Sequence, residues 1–295
     1  MDEWMRCMRD GDFAGAWQVS DRVTRARAGS RADHLPRHQQ WIWDGSPIAG
    51  RRVLVRCYHG LGDTIQFVRF LPAIRALAAR TVLWAQPALI PLLQRTAGID
   101  ELRPLHVGEP PAGWDVDVEI MELPHLLRIT PATLAARVPY LHVEPAPRPP
   151  DARLHVGLVW TAGDWAPERS MRFSDVAPLA AVPGIAWHVL QRGEPLHEAQ
   201  PGFGHIDADE SVLGTARRMR ALDLVLTVDS MPAHLAGALG VPVWTMLAAD
   251  ADWRWMRGRR TPWYPTMRLI RQRRAGEWAE VIARVSRALR RAVLR

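Results

Sequence analysis

A polar corner in the second half of the chain is the stretch best suited to bind an anion. Asp229 and Ser230 follow the apolar run 222–228, and a small-residue helix with Pro232 near its start comes next. Proline fits the first turn of a helix, where its missing N–H is not needed. The free N–H groups of such a helix, at the carboxyl end of a strand, attract phosphate. Ser230 can add a hydroxyl donor and His234 lies one turn further on, so we predict a diphosphate site here.

The same residues also fit a purely structural role. Asp229 or Ser230 can cap the helix by accepting a backbone N–H, and His234 can pack in the core. A short motif does not decide between the two interpretations. Only the first predicts that these side chains contribute to ligand binding.

A glycine-rich loop in the first half of the chain carries another acid. The loop reads H-G-L-G-D-T and contains His59, Gly60, Gly62 and Asp63. Glycine lets a ligand come close to the backbone. The spacing is not that of G-x-G-x-x-G, so a dinucleotide site is not indicated. Asp63 can cap the following helix, or it can act on a ligand.

Apolar runs alternate with amphipathic segments along most of the chain. Strands are predicted at 52–58, 81–85, 101–105, 116–120, 155–160, 185–190, 222–228 and 243–247. Helices are predicted at 64–79, 87–96, 121–128, 174–182, 210–221, 233–239 and 277–294, the first of them bent by Pro72. Residues 194–209 are predicted to be loop. Apolar strands separated by helices indicate an α/β fold with parallel sheets.

Three acids alternate along one of these predicted strands. Asp115, Asp117 and Glu119 occupy every second position around 116–120. Alternate positions face one side of a strand. Their spacing is too regular for a catalytic pair, so we assign them no chemistry.

A proline-rich stretch, 144–151, is the clearest linker in the chain. It divides 295 residues into two domains of ordinary size. We predict a helical hairpin over 1–35, built around Gly11. It resembles the last helical pair of a tetratricopeptide array, and a hairpin that simply packs on the domain is the other interpretation. A first α/β domain is predicted over 36–147. The predicted second α/β domain covers 151–275, and a terminal helix over 276–295 completes the chain.

Composition limits the classes of function. The net charge is +7, every basic residue is Arg, and the charges are dispersed without a nucleic-acid motif, so we predict no nucleic-acid partner. No apolar run approaches the roughly 20 residues of a membrane span. The N-terminal stretch lacks a signal-peptide core, so a cytoplasmic location is expected. The two cysteines have no ligand spacing, and neither a disulfide nor a zinc site is predicted.

The polar corner belongs to a longer motif. The run D-S-x-x-A-H-L-A-G-A-L-G-V-P-V-W resembles the D-[ST]-x-x-x-H-x-A-x-A-x-G-x-P motif of glycosyltransferase family 9, which contains the ADP-heptose:lipopolysaccharide heptosyltransferases. The loop run G-L-G-D-T-I-Q-F-x-R-F-L-P resembles the same family's N-terminal G-x-G-D motif. The later run D-W-R-W…T-P-W-Y-P-T-M-R-L-I-R-Q resembles the branch found after tetratricopeptide repeats. Met231 departs from the Gly usual in heptosyltransferases and narrows the loop.

This resemblance, over about residues 36–292, implies a GT-B fold of two Rossmann-like domains facing a cleft. It also implies that the terminal helix, 276–295, packs back across the two domains. It implies that Asp63 is the general base on the acceptor hydroxyl and that His59, Gly60 and Gly62 surround the acceptor; a solvated loop histidine is the other interpretation of His59. It places the donor diphosphate near Asp229, Ser230, His234, Arg169, Arg172, Gln191 and Arg192, although the arginines can equally be solvated. Trp253 and Trp255 are either core or part of a base or sugar pocket.

The implied reaction is an inverting, metal-independent sugar transfer from a nucleotide-diphosphate donor, without a cofactor. The acceptor would be a glycan, a lipid-linked or a protein hydroxyl, and the positive charge would suit peripheral association with the inner membrane face. Two other classes stay open. A GT-B sugar-nucleotide epimerase needs further acid–base carboxylates. A non-catalytic sugar-nucleotide-binding or scaffold module is suggested by Met231 and by the helical N-terminus.

Overall fold

A computed structural model describes residues 2–30, 32, 34–134, 138–151, 153–164 and 166–294. The chain divides into two compact units, Met1–His142 and Val143–Arg295. Each unit contains one parallel sheet with helices, as the alternation of apolar runs predicts.

The first unit begins with the predicted helical hairpin. Helices α1 and α2 span Glu3–Asp10 and Phe13–Ala26. The Asp2 carboxylate caps α1, and Gly11 ends it in the left-handed region, φ 78°, which favours glycine. The hairpin packs on its own unit, because the Trp17 indole donates to the carbonyl of Ile129 at 2.8 Å. Residues 1, 31 and 33 of the predicted 1–35 segment lie outside the described residues.

The sheet of the first unit has the strand order β3-β2-β1-β4, all parallel. The strands are β1 Arg52–Arg56, β2 Arg80–Ala85, β3 Glu101–Pro104 and β4 Val116–Glu119. The helices are α3 Leu61–Phe67, α4 Leu71–Leu77, α5 Ile90–Leu93, α6 Leu123–Leu126 and α7 Pro131–Leu134, with 3-10 turns at 37–39, 68–70, 87–89 and 120–122.

The helix predicted over 64–79 is wrong in two respects. It begins earlier, at Leu61, so Gly62 and Asp63 lie in the first helical turn and not in a loop. It is also interrupted by the 3-10 turn Val68–Phe70, after which Pro72 stands in the first turn of α4. Proline removes an N–H and clashes with the preceding turn, which explains the break. The predicted helices 87–96, 121–128 and 174–182 are likewise split into shorter pieces.

The second unit has a six-stranded parallel sheet in the order β10-β9-β8-β5-β6-β7. The strands are β5 Leu154–Leu158, β6 Ile185–Val189, β7 His205–Ile206, β8 Leu224–Val228, β9 Val243–Leu247 and β10 Met267–Arg271. The helices are α8 Phe173–Val176, α9 Val212–Arg220, α10 Met231–Ala238 and α11 Trp278–Val293, with 3-10 turns at 167–169, 177–181, 194–198 and 253–255.

Both outer strands of this sheet were missed by the sequence prediction. Strand β7 interrupts the predicted loop 194–209 with two residues paired to β6. Strand β10 lies in the tryptophan-rich run and pairs with β9. The free side of β10 is partly covered, because the backbone N–H of Leu269 donates to the carbonyl of Arg259 at 2.9 Å.

Two segments complete the second unit. The proline-rich stretch packs on it: Ala146 N–H donates to the carbonyl of Arg217, and Arg148 pairs with Asp223 at 3.0 Å. Helix α11 buries its apolar stripe, Trp278, Val281, Ile282, Val285 and Leu289, in the core of the same unit. Within the described residues, no helix has the length and hydropathy that a membrane span requires.

Candidate functional site

The polar corner of the second unit lies where β8 ends and α10 begins. Ser230 is the N-cap residue, but its hydroxyl faces back to the carbonyl of Val228 at 3.3 Å. The Ser230 side chain therefore makes no capping hydrogen bond to α10. Pro232 stands in the first turn and Gly240 follows the last one with φ 70°, as predicted.

Asp229 lies beneath this helix start and is 4% exposed. One of its carboxyl oxygens, Oδ2, is 3.8 Å from Nη1 of Arg169. Burial, followed by the charge of Asp252, raises the pKa of Asp229 to about 6, against the opposing effect of Trp255 and of the two nearby guanidinium groups. The Trp255 indole lies close enough to Asp229 to lower its pKa, although its Nε1–H forms no hydrogen bond with the carboxyl group. A carboxyl group that is partly neutral near pH 6 repels a bound anion less than a fully ionised one.

His234 is buried within α10. Its Nδ1 is 2.9 Å from the Tyr264 hydroxyl, and its ring stacks on Trp255 with centroids 5.1 Å apart. The Tyr264 ring reaches this position because it packs on Gly237, where an added Cβ would lie 2.4 Å from the ring. Trp253 and Trp255 are both buried, and Trp253 packs edge-on against Trp263. These contacts give His234 a packing role whether or not it also meets a ligand.

Of the other predicted donor residues, Gln191 and Arg192 hold backbone groups of the second unit, and Arg172 is exposed. Gln191 accepts the backbone N–H groups of Trp160 and Thr161 at 3.1 and 3.0 Å and so fixes the loop after β5. Arg192 donates to the backbone carbonyls of Asp207 and Asp209. Arg172 is exposed at the start of α8. Among described residues, no hydrogen bond or ion pair joins Gln191, Arg192 or Arg172 to Asp229 or Ser230. Trp165, in the same predicted loop as Arg172, lies outside those residues.

The corner of the first unit is built around Asp63, the third residue of α3. Its Oδ2 accepts the backbone N–H of Gly60 at 3.0 Å, which fixes the carboxylate at the helix start. The side chain of Gln86 holds the loop from the other side, donating to the carbonyl of His59 at 2.8 Å and accepting from the Thr64 hydroxyl at 3.0 Å. The carboxylate remains half-buried. It can both support the loop and meet a substrate.

Two further carboxyl groups lie behind this corner and were missed by the sequence prediction. Glu119 ends β4, is 2% exposed, and accepts N–H groups from Tyr58 and Met121. Its Oε2 is 3.7 Å from Nε2 of His59. Burial raises the pKa of Glu119 to about 8, with added effects of Glu122 and Asp63. Burial also raises the pKa of Glu122 to about 7.

The three alternating acids therefore have different roles. Asp115 forms a two-oxygen pair with Arg52, Nη2 to Oδ1 2.7 Å, and Asp117 pairs with Arg56. Only Glu119 is at the carboxyl end of the strand, where it is buried beside His59. Alternation correctly places the acids on one side of β4, but it does not show that the last one is buried. The sequence signal that could have indicated burial of Glu119 is its position at the end of an apolar strand, three residues before another glutamate.

No group of three or more His, Cys, Asp or Glu in the described part of the chain is arranged to hold a metal ion. Both corners lie at the carboxyl ends of parallel strands, the usual ligand edge of such sheets.

The two parallel sheets and their helices form an α/β fold of the GT-B type, which is similar to solved structures of a glycosyltransferase of family 9 and of heptosyltransferases. The glycosyltransferase family 9 structure from Veillonella parvula DSM 2008 superposes with a TM-score of 0.60 at 15% identity, covering 84% of this chain and 99% of that one. The structure of the E. coli ADP-heptose LPS heptosyltransferase II superposes with a TM-score of 0.60 at 14% identity, covering 82% of this chain and 98% of that one. The E. coli heptosyltransferase WaaC with ADP-2-deoxy-2-fluoro heptose gives 0.57 at 13% identity, with 82% and 99% covered.

Sequence comparison adds one relative. Protein FlbA of Caulobacter vibrioides is 27% identical over 290 residues, covering 84% of this chain and 48% of the relative. The chain thus spans about half the length of that relative. No family model matches the sequence.

Proposed function

We propose that the chain is an inverting, metal-independent glycosyltransferase that moves a sugar from a nucleotide-diphosphate donor to a hydroxyl acceptor. The observation that carries the proposal is the corner after β8. There the Ser230 side chain makes no capping hydrogen bond to α10 and Arg169 stands 3.8 Å from Asp229, in a fold shared with heptosyltransferases.

The donor half of the reaction is assigned to this corner. When the bond between the sugar and the diphosphate breaks, negative charge develops on the leaving oxygen. Backbone N–H groups at the start of α10, the Ser230 hydroxyl and Arg169 are suited to receive that charge, because fixed donors in a partly buried site stabilise an anion strongly. Asp229, whose pKa is raised only to about 6, would hold Arg169 in place in its ionised form.

The acceptor half is assigned to Asp63. The acceptor hydroxyl attacks the anomeric carbon from the face opposite the diphosphate, and its proton passes to the carboxylate of Asp63. The Gly60 N–H holds this carboxylate at the start of α3. Glu119, neutral below about pH 8, adds little negative charge beside it near neutral pH.

The class of acceptor stays wide: a glycan, a lipid-linked or a protein hydroxyl, at a cytoplasmic or inner-membrane location. The solved relatives include one bound to an ADP-heptose analogue, which makes ADP-sugars the first donors to test. Thermal-shift measurements with ADP-, UDP-, GDP- and dTDP-sugars would identify the donor. Incubation with the labelled donor would then show transfer or hydrolysis; interconversion would indicate an epimerase and overturn the proposal.

A non-catalytic sugar-nucleotide-binding module is the second candidate. It is favoured by the engagement of His234 with Tyr264 and by Met231 at the first position of α10. Such a module binds the labelled donor without consuming it, even when a range of acceptor hydroxyls is supplied.

A further inference from the structure

A groove rich in arginine runs along one edge of the second unit. It lies between the edge strand β10, helix α11 and the loop at 257–259, and encloses about 620 Å³. Eight of its fourteen lining residues are arginine and none is acidic. Asp229, Ser230 and His234 do not line it. We call this feature the arginine groove, and it requires an explanation apart from the proposed donor corner.

Secondary structure concentrates these charges on one surface. Arg287 and Arg291 stand one turn apart on α11, on the side opposite its buried apolar stripe. Arg268 projects from β10 beside its register partner Trp244 on β9, and its guanidinium lies 5.1 Å from the indole centroid. Arg259 comes from the loop that covers the edge of β10. Helix, strand and loop thus contribute cations to the same groove.

Part of this charge is compensated inside the protein. Glu280 serves both Arg284, at 3.0 Å, and Arg273, at 3.5 Å. Arg271 donates to the carbonyl of Met256 at 2.6 Å.

The remaining positive charge of the arginine groove is not compensated by acidic side chains. Among the residues that the structure describes, no carboxylate forms an ion pair with Arg259, Arg268, Arg287 or Arg291, and all four are exposed. Guanidinium groups stay protonated at every ordinary pH, so the repulsion among them is permanent. A bound anion would relieve it.

We propose that the arginine groove binds a compact ligand carrying two or more linked phosphate groups. The planar fork of arginine matches phosphate oxygens two at a time, and several forks around one concavity favour several phosphates. The enclosed volume lies within the range of about 300–1,000 Å³ usual for small-molecule sites. A concave site suits a discrete molecule better than a flat bilayer. In addition, the guanidinium of Arg268 already lies over the indole ring of Trp244.

The test is calorimetric titration of sodium tripolyphosphate into the full chain. The variant R287A/R291A removes two exposed guanidinium groups from the groove, and R290A is the matched control on the same helix, outside the lining. We expect the double variant to lose affinity by at least about tenfold and the control by less than about twofold. Circular dichroism should show the same fold in all three proteins.

Binding should also weaken as salt is raised from about 0.05 M to about 0.5 M, since screening lengths shorten over that range. R268Q, on the edge strand, provides an independent variant and should lose affinity in the same direction. Equal affinities of the wild type and R287A/R291A, or no detectable heat, would overturn the proposal.

Two further titrations identify the source of the phosphates. Sedimentation with phosphatidic acid vesicles, against phosphatidylcholine vesicles, shows lipid-borne phosphate if wild type binds and R287A/R291A does not. Tripolyphosphate binding without vesicle binding shows a free polyphosphate and supports the proposal. Vesicle binding without tripolyphosphate binding would show recognition of single lipid-borne phosphates and would contradict a ligand with linked phosphates. A single-stranded oligonucleotide that bound about 100-fold more tightly than tripolyphosphate would instead mark a nucleic-acid surface and contradict a compact ligand. None of these readouts depends on sugar transfer, so they stand or fall separately from the proposed activity.

Discussion

The two corners have the same local architecture, but the aspartate in each corner has a different environment. Each places an aspartate where a parallel strand gives way to a helix. Asp63 is only half-buried, and its carboxylate accepts the backbone N–H of Gly60 in its own loop. Asp229 is buried, and its pKa is raised to about 6. An acid that must take a proton from a substrate needs access, whereas an acid beneath an anion site must be partly neutral or paired.

The groups behind each acid extend this contrast. Behind Asp63 lie Glu119 and Glu122, two buried carboxyl groups with raised pKa values. Around Asp229 the neighbours are mainly arginines, with Asp252 the exception. The first corner is therefore organised around protons and the second around fixed positive charge.

The largest effect is expected from D63N. The amide keeps the size of the side chain and can still accept the Gly60 N–H, but it cannot take a proton. Transfer should fall by roughly 10²–10⁴-fold, the usual contribution of a general base. Donor binding, measured by calorimetry, should not change. D115N, which alters the exposed pair with Arg52, is the control. Wild-type turnover in D63N would contradict the assignment of Asp63 as the general base for the acceptor.

H234A should separate the ligand-binding interpretation of His234 from the packing one. Loss of a hydrogen bond to a charged group costs about 1.5–3 kcal/mol, so nucleotide-sugar binding should weaken by roughly 10–150-fold. Y264F removes only the hydroxyl on Nδ1 and should change affinity much less. Calorimetry with melting curves decides: unchanged affinity in H234A with a large drop in melting temperature would make this histidine structural only.

R169A and R172A compare two arginines of one loop. Arg169 approaches Asp229, so its loss should weaken donor binding by about tenfold, as for one charge-assisted contact. Arg172 is exposed and its loss should change affinity by less than about twofold. The difference should shrink in high salt. Equal effects of the two substitutions on the titrated affinity would contradict the placement of Arg169.

E119Q tests the buried carboxyl behind Asp63, and its effect is measured as the free energy of unfolding against pH. The folded pKa of Glu119, about 8, is above its unfolded value of 4.5. Its contribution to stability is therefore complete below pH 4.5 and is lost as pH rises through 8. That loss approaches about 1.4 kcal/mol per pH unit between these two pKa values, and it should be absent in E119Q. Denaturant titrations from pH 5 to pH 8 measure it; parallel curves for wild type and E119Q would contradict a buried neutral carboxyl.

Sequence reasoning succeeded where several local signals coincided. The corner after β8 combined an apolar run, Pro232 and Gly240, and each has the position predicted for it. Sequence reasoning failed where tertiary contacts determine the local structure. The start of α3 was misplaced because Gly62 is a poor helix former, whereas the bond from Gly60 to Asp63 stabilises that turn.

The missed strands and the missed glutamate share one cause. Strand β7 has only two residues, and β10 interleaves charged and apolar residues because it lies at a sheet edge. Glu119 was given no role because its burial depends on the helix and loop that pack over the end of β4. Burial of this kind comes from packing between distant segments, which periodicity does not record.

The sheet edges also bear on how the protein behaves at high concentration. An open strand edge is a template for pairing with another copy, and such pairing leads to aggregation. Strand β3 ends at Pro104, which has no N–H to offer, and β4 is only four residues long. In the second sheet β7 has two residues, and β10 is charged and covered at Leu269 by Arg259. Each sheet thus ends in strands too short, too charged or too covered to recruit a neighbour, which should keep crowded solutions of this protein free of fibrous assembly.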